Sequence, residues 1–542
     1  MGGSSEGDSI MGDVRDNSEP LESKSGGNHI KSYKKRSKTL PEKEFRLRQS
    51  ILTELMEQKH FQACHNFIIA LMVHYALGGI VTDFVESGSL DLGLTNAKNL
   101  FGKPILWLKL VVLLHLTPML VLYPGFYLWA NYRSQKYFNS TRHLLDKCFY
   151  LFLTGIFLMV FYIPIRVHFQ DERIPYGACA VVVIEQLRIS MKMYAFARTN
   201  IKRILNPSVS PALKSKLEEH VSSNKHRGSD LTGPQSNENL RNRKNKEIIK
   251  GEETETDFST HRSAHPASEF KSFDEDILCP DFSKLLYFLY APTLIYRDHY
   301  PRNNIRRWDF IGWHLAHMFG CVMFYSLVQH RFGYVLLQNF GPHNPMTFKE
   351  LVSIGFCQII VGISAMYLGW VTMLHSMQNV FAELLRFGDR GFYKAWWCCT
   401  SMGEYHRTWN TPVQDFLYNY VYKEAWEKGL GQKAKWLPTL LVFVLSNIFH
   451  EYAMSFACQF FCPVMGLLFM GPGTFLTFLP NKKFPQLGNI FMLYSFSLGY
   501  AFFHIFYMVE HFARVNDCPG ASTPLLDFFI PRFLTCGAVK WN

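Results

Sequence analysis

Nine apolar runs punctuate the chain, at 66–85, 105–130, 148–165, 176–197, 309–329, 351–377, 436–460, 464–478 and 490–509. Each approaches the roughly 20 residues that a helix needs to cross a bilayer. The fourth carries Glu185, Arg188 and Lys192 on one helical face, which suits an interface or a bundle interior better than lipid. The eighth is short and broken by Gly471, Pro472 and Gly473. Residues 1–50 and 199–283 are polar, rich in Gly, Ser and charge and low in aromatics, and read as a disordered tail and a disordered loop. The pattern therefore predicts a tail over 1–50, four membrane helices over 51–198, a loop over 199–283 and a second membrane region over 284–542. The expected fold class is all-α, a polytopic membrane protein of about nine transmembrane helices.

Composition sharpens this picture. Mean hydropathy over the 542 residues is only −0.02, yet 48% are hydrophobic, and 18% are charged against about 25% in soluble proteins. The ordinary average conceals a partition between greasy runs and polar blocks. The net charge of +12 could suggest nucleic acid, but alternating the nine runs from a cytosolic N-terminus puts most of the 56 Lys and Arg on the cytosolic side. The positive-inside rule then orients the chain, with its C-terminus on the opposite, lumenal side and no nucleic-acid partner implied. The 12 cysteines are scattered without CxxC or zinc-like spacing. No apolar run falls in the first sixty residues, so no cleavable signal peptide is expected.

Two segments could carry chemistry. The middle of the seventh run reads Ser446-Asn-Ile-Phe-His450-Glu-Tyr452, where a charge costs about 2.5–3.5 kcal/mol on insertion scales. Helical spacing sets Ser446 and Asn447 four and three residues before His450, on its face. Histidine is suited to moving protons near neutral pH. A structural histidine is the rival reading; a zinc site is disfavoured because Met454 breaks the HExxH pattern. The second segment, 378–435, is cytosolic by charge yet dense in Trp and Tyr, with Arg407, Lys423, Lys428 and Lys435 interspersed. It fits either a ligand with a phosphate head and an acyl tail or an interfacial aromatic belt.

The runs Tyr287–Asp298, Phe381–Arg390, Tyr405-His-Arg-Thr-Trp-Asn410 and His450-Glu-Tyr452 closely resemble the sterol O-acyltransferase branch of the membrane-bound O-acyltransferase family. The resemblance covers about residue 51 to the C-terminus, apart from the loop at 199–283. It implies a helical membrane fold with an internal tunnel, and transfer of a fatty acyl group from acyl-CoA to a sterol hydroxyl in the endoplasmic reticulum membrane. Acyl-CoA would be a co-substrate, with no cofactor or metal, and the protein would form homo-oligomers. Carried over by position, His450 is the catalytic base and Asn410 its polar partner. Arg407, Asn410, Tyr422, Lys435 and Ser446 would contact acyl-CoA, and His60 the sterol. The family also carries a lumenal bridge where Cys518 and Cys536 stand, beyond the ninth run.

The chain departs from the family's Phe-Tyr-x-Asp-Trp-Trp-Asn signature at Ala395 and Cys398, and Glu404 and Gln414 replace an Asn and a His. A carboxylate near a phosphate-bearing ligand repels it, so weaker acyl-CoA binding is expected. Two rivals stay open: a binding protein that keeps the fold without turnover, and an acyltransferase for another lipid alcohol such as diacylglycerol.

Overall fold

The computed structural model describes residues 40–88, 98, 100–134, 141–168, 174–205, 279–434, 436–473 and 484–540. They are mostly helical, with one two-residue parallel pairing of Met346–Thr347 against Val539–Lys540. Met1–Thr199 and Pro280–Asn542 form one compact unit, and Asn200–Cys279 a second. Most of the second unit, including most of the expected loop, lies outside the described residues, as do residues 1–39 of the expected tail.

Among the described residues, seven helices are long and apolar enough to cross a membrane: Lys59–Thr82, Pro104–Arg133, Arg142–Arg166, Trp308–Leu337, Ile359–Leu384, Leu437–Cys458 and Pro485–Val515. Pro104, Pro438 and Pro485 each sit in a first turn, where the missing N–H costs nothing and the fixed φ favours a helical start. Seven of the nine expected runs correspond to these helices.

The fourth run lies within a 30-residue helix, Tyr176–Leu205, that is too polar to count among the seven. Its charges turn inward and are satisfied there. Glu185 pairs with His115 at 2.9 Å, and the buried Lys192 ammonium donates to the carbonyls of Ala291 and Thr293 at 2.7 and 3.0 Å. Those carbonyls follow the end of the Phe282–Tyr290 helix, so the ammonium takes up acceptors that the helix itself cannot satisfy.

The sixth run is two helices rather than one. A capping box between Thr347 and Glu350 starts Phe348–Cys357, and Gln358 interrupts the path before Ile359–Trp370. Near its middle the second helix meets Pro485–Val515 backbone to backbone. A Cβ on Gly362 would lie 2.7 Å from both Ala501 N and Ser497 O, so only glycine permits this crossing. The eighth run forms the short Val464–Leu468 helix and a π-turn, Phe469–Gly473, after which 474–483 lie outside the described residues.

Residues 40–50, expected as the end of the tail, form an extended strap. Arg48 N–H donates to Gly388 O at 2.9 Å, Arg390 N–H donates to Arg48 O at 3.2 Å, and Lys43 pairs with Asp415 at 2.8 Å. The aromatic segment is likewise not a surface belt. Phe392, Tyr393 and Trp396 are buried, with the Trp396 ring 4.6 Å from Trp409 and 5.3 Å from Trp370. Tertiary packing claims these rings, and they form a wall beside the cavity described next.

Candidate active site

The Leu437–Cys458 helix presents Ser446 and His450 to a cavity of about 510 Å³. Four residues separate them, so they lie one turn apart on the same face. The His450 Nδ1 lies 2.7 Å from the Ser446 carbonyl oxygen. A carbonyl can only accept, so Nδ1 carries the hydrogen and the lone pair sits on Nε2. The ring is held as the tautomer a general base requires. Asn447, expected on this face, turns away instead and packs with Glu451 against Gly466 of the Val464–Leu468 helix.

Asn410 reaches the same cavity from the former aromatic segment. It caps Thr411–Leu417, its Oδ1 accepting from Val413 N–H at 3.3 Å. A backbone N–H can only donate, so the capping atom is the oxygen and the side-chain NH₂ is left as a donor. One cavity thus holds a base and a neutral donor, each with its identity fixed by a backbone contact.

Arg407 and Gln414 also line the cavity. Among the described lining residues, Arg407 is the only side chain with a permanent charge, and none is a carboxylate. Burial lowers the Arg407 guanidinium from its usual value, opposed by the nearby Glu404 carboxylate. Glu404 itself does not line the cavity. Its carboxylate accepts from Thr400 N–H at 2.9 Å while Ser401 caps its own N–H, so it serves the start of Met402–Thr408.

The other expected contacts separate. Tyr422 is buried outside the cavity lining, stacked 5.8 Å behind Tyr418, which does line it. Lys435 lies outside the described residues. His60 is exposed near the start of Lys59–Ser87 and is not part of the cavity. Ala395 and Cys398 are also absent from its lining. Cys518 and Cys536 form a disulfide across a separation of 18 residues, the pairing that the resemblance implied.

Sequence reasoning missed His406 and Phe469. The His406 ring lies 5.1 Å from Phe443 and 5.5 Å from Phe469, its Nε2 buried without a hydrogen-bond partner. Burial, reinforced by electrostatic interaction with His450 and with the Arg407 guanidinium, pulls its imidazole down to about 4, so it is neutral near pH 7. Its position next to Arg407 in the chain was the available signal. Phe469, one of 47 phenylalanines, offered none.

A histidine base, an amide donor, a cation and largely apolar walls suit acyl transfer from an anionic, long-tailed donor. Comparison with known proteins agrees with this chemistry. Residues 262–509 match the model of the membrane-bound O-acyltransferase family. Sterol O-acyltransferase 1 of Mus musculus is 31% identical over 500 residues, covering 90% of this chain and 78% of that protein. Sterol O-acyltransferase 1 of Chlorocebus aethiops is 32% identical over 502 residues, covering 91% and 77%. Sterol O-acyltransferase 2 of Homo sapiens is 29% identical over 496 residues, covering 91% and 80%.

Proposed function

This chain belongs to the membrane-bound O-acyltransferase family, and from that premise we propose that it transfers a long-chain fatty acyl group from acyl-CoA to the 3-hydroxyl of a sterol. The observation that carries the reading is the 2.7 Å contact of His450 Nδ1 with Ser446 O in a cavity that Asn410 shares, which leaves Nε2 as the basic nitrogen. His450 Nε2 takes the proton of the sterol hydroxyl as its oxygen attacks the thioester carbonyl carbon. The Asn410 NH₂ donates to the oxyanion as it forms. Collapse of the tetrahedral intermediate breaks the carbon–sulfur bond, and the imidazolium returns its proton to the departing thiolate. Steryl ester and CoA leave, and no acyl-enzyme is required.

Arg407, at the cavity, suits the phosphates of CoA, and the largely apolar lining suits the acyl chain and the sterol. The reading places the protein in the endoplasmic reticulum membrane as a homo-oligomer, with a cytosolic N-terminus and a lumenal C-terminus. The Cys518–Cys536 bridge supports that orientation, because disulfides persist in the oxidising lumen. Lys435 and Tyr422 remain part of the proposed acyl-CoA path, Tyr422 acting through the Tyr418 ring, and His60 part of the sterol path.

The test is incubation of the purified full chain with labelled oleoyl-CoA and a panel of acceptors: cholesterol, a plant sterol, diacylglycerol and a long-chain alcohol. Label in steryl ester is the expected result. Label only in triacylglycerol or wax ester would reassign the acceptor. Binding of acyl-CoA without transfer to any acceptor would replace the enzyme with a non-catalytic relative.

A further inference from the structure

We propose that Phe469 is a positioning residue whose ring, set against His450, fixes the plane of the imidazole for proton transfer. The inference rests on the acyl-transfer reading above. Ser446 holds one edge of the His450 ring, its carbonyl 2.7 Å and its hydroxyl 3.5 Å from Nδ1, and these contacts at one atom leave the ring free to rock about that edge. The second restraint lies on its face. The Phe469 ring stacks there with centroids 5.9 Å apart and planes inclined by 26°. Phe469 is braced in turn by Phe443 at 5.6 Å and by His406, edge-on at 5.5 Å.

The backbone carrying Phe469 is registered to the same helix that carries the base. Phe469 opens the π-turn after Val464–Leu468, and in that short helix Gly466 N–H donates to the Glu451 carboxylate. Glu451 follows His450 directly, so the Leu437–Cys458 helix supplies the imidazole from one face and the anchor for its partner ring from another. The contact has no slack. A Cβ on Gly466 would lie 2.9 Å from Glu451 Oε1 and 3.2 Å from Asn447 Nδ2. A shift of the short helix would therefore carry Phe469 off the imidazole.

The arrangement favours the transition state over the resting enzyme. His450 becomes a cation as it accepts the proton, and a cation over an aromatic face is stabilised by the ring quadrupole. An interaction that strengthens as the proton moves raises kcat rather than lowering KM. A phenylalanine that served only as cavity wall would do the reverse.

Four variants of the full chain, assayed in microsomes at matched expression with oleoyl-CoA and cholesterol, decide the matter. Phe469→Leu keeps bulk without a ring and is expected to lower kcat about 3–10-fold, the range for one aromatic contact, with KM for oleoyl-CoA unchanged. Phe469→Tyr restores the ring and the rate. Gly466→Ala, outside the cavity lining, reproduces the kcat loss of the leucine variant. His450→Ala is the control for the underlying reaction. Full kcat in Phe469→Leu, a change confined to KM, or an equal loss in Phe469→Tyr overturns the proposal. If Gly466→Ala yields no folded protein by size exclusion, the leucine and tyrosine pair decides alone. Parental activity in His450→Ala defeats the acyl-transfer mechanism itself, whereas an inactive His450→Ala beside a fully active Phe469→Leu defeats only the role of Phe469.

Discussion

The cavity around His450 and the aromatic segment from Phe392 to Cys398 adjoin in the fold yet differ in what their polar groups do. In the cavity, backbone contacts fix His450 and Asn410 so that a lone pair and an NH₂ remain for a ligand. In the segment, the Tyr393 hydroxyl and two backbone carbonyls are taken up by neighbouring side chains, while Lys394 and Cys398 are exposed. Tyr393 OH pairs with the buried His375 at 2.6 Å, and the Asn489 NH₂ donates to the carbonyls of Trp397 and Cys399 at 2.8 and 2.9 Å. On the acyl-transfer reading, the first region supplies the chemistry and the second its support. The departures from the family signature at Ala395 and Cys398 fall in the supporting region, so an altered signature does not by itself remove the reacting groups.

The contrast breaks most sharply at the base. His450→Ala should cut steryl ester formation by about 10²–10⁴-fold, the usual contribution of general-base catalysis, while purified protein elutes and melts as the parent does. Retained turnover would remove the cavity's claim to the chemistry. Asn410 allows a finer cut, because it both caps a helix and offers a donor. Asn410→Ala loses both, and about 10²–10³-fold in kcat for the donor. Asn410→Asp keeps a capping oxygen without an NH₂, so stability should return while kcat does not. Recovery of rate in the Asp variant would show that the cap alone mattered.

The supporting region should respond in the opposite currency. Trp396→Ala removes a buried ring that touches Trp370 and Trp409, and should cost about 3–5 kcal/mol of stability. Thermal melts in detergent should fall, while kcat per folded molecule stays near the parent. His406 links the two regions through pH. Its folded pKa of about 4 lies below the ordinary 6.5, so the unfolded chain binds the extra proton first. Stability is then lost as pH falls from about 6.5 towards 4. His406→Tyr should flatten that part of the melting-temperature profile, and an unchanged slope would show that another group is responsible. The smallest effect is expected from Ala395→Asp with Cys398→Asn. Neither position lines the cavity, so KM for acyl-CoA should move by no more than the few-fold that an exposed charge can supply. A larger drop in KM would place the segment in the acyl-CoA path after all.

Much of this was legible in the sequence where pattern and physics coincide. Bilayer-length apolar runs become helices because lipid leaves the backbone no other way to satisfy itself, and among the described residues seven of the nine correspond to helices long and apolar enough to span. The pairing of Ser446 with His450 followed from helical spacing. What escaped depends on contacts that spacing does not encode. Asn447 shares the spacing but packs towards Gly466 instead. The buried charges of Tyr176–Leu205 gave the helix its ambiguous appearance, and the carbonyls that satisfy Lys192 come from about a hundred residues later in the chain, a separation the hydrogen bonds themselves record. The strap at 40–50 looked like tail because its partners, Gly388, Asp389 and Asp415 among them, lie far along the chain, where local composition cannot point to them.

The pairing of Val539–Lys540 with Met346–Thr347 bears on the order of biogenesis. A ribosome releases the chain from its N-terminus, and the strand that completes this pairing emerges after every helix that frames the cavity. The thiol of Cys536, needed for the bond to Cys518, appears only a few residues earlier. Both closures must therefore wait until the helices that frame the cavity have been made. A chain interrupted between Val515 and Cys536 would already carry His450 and Asn410 and still lack both fastenings.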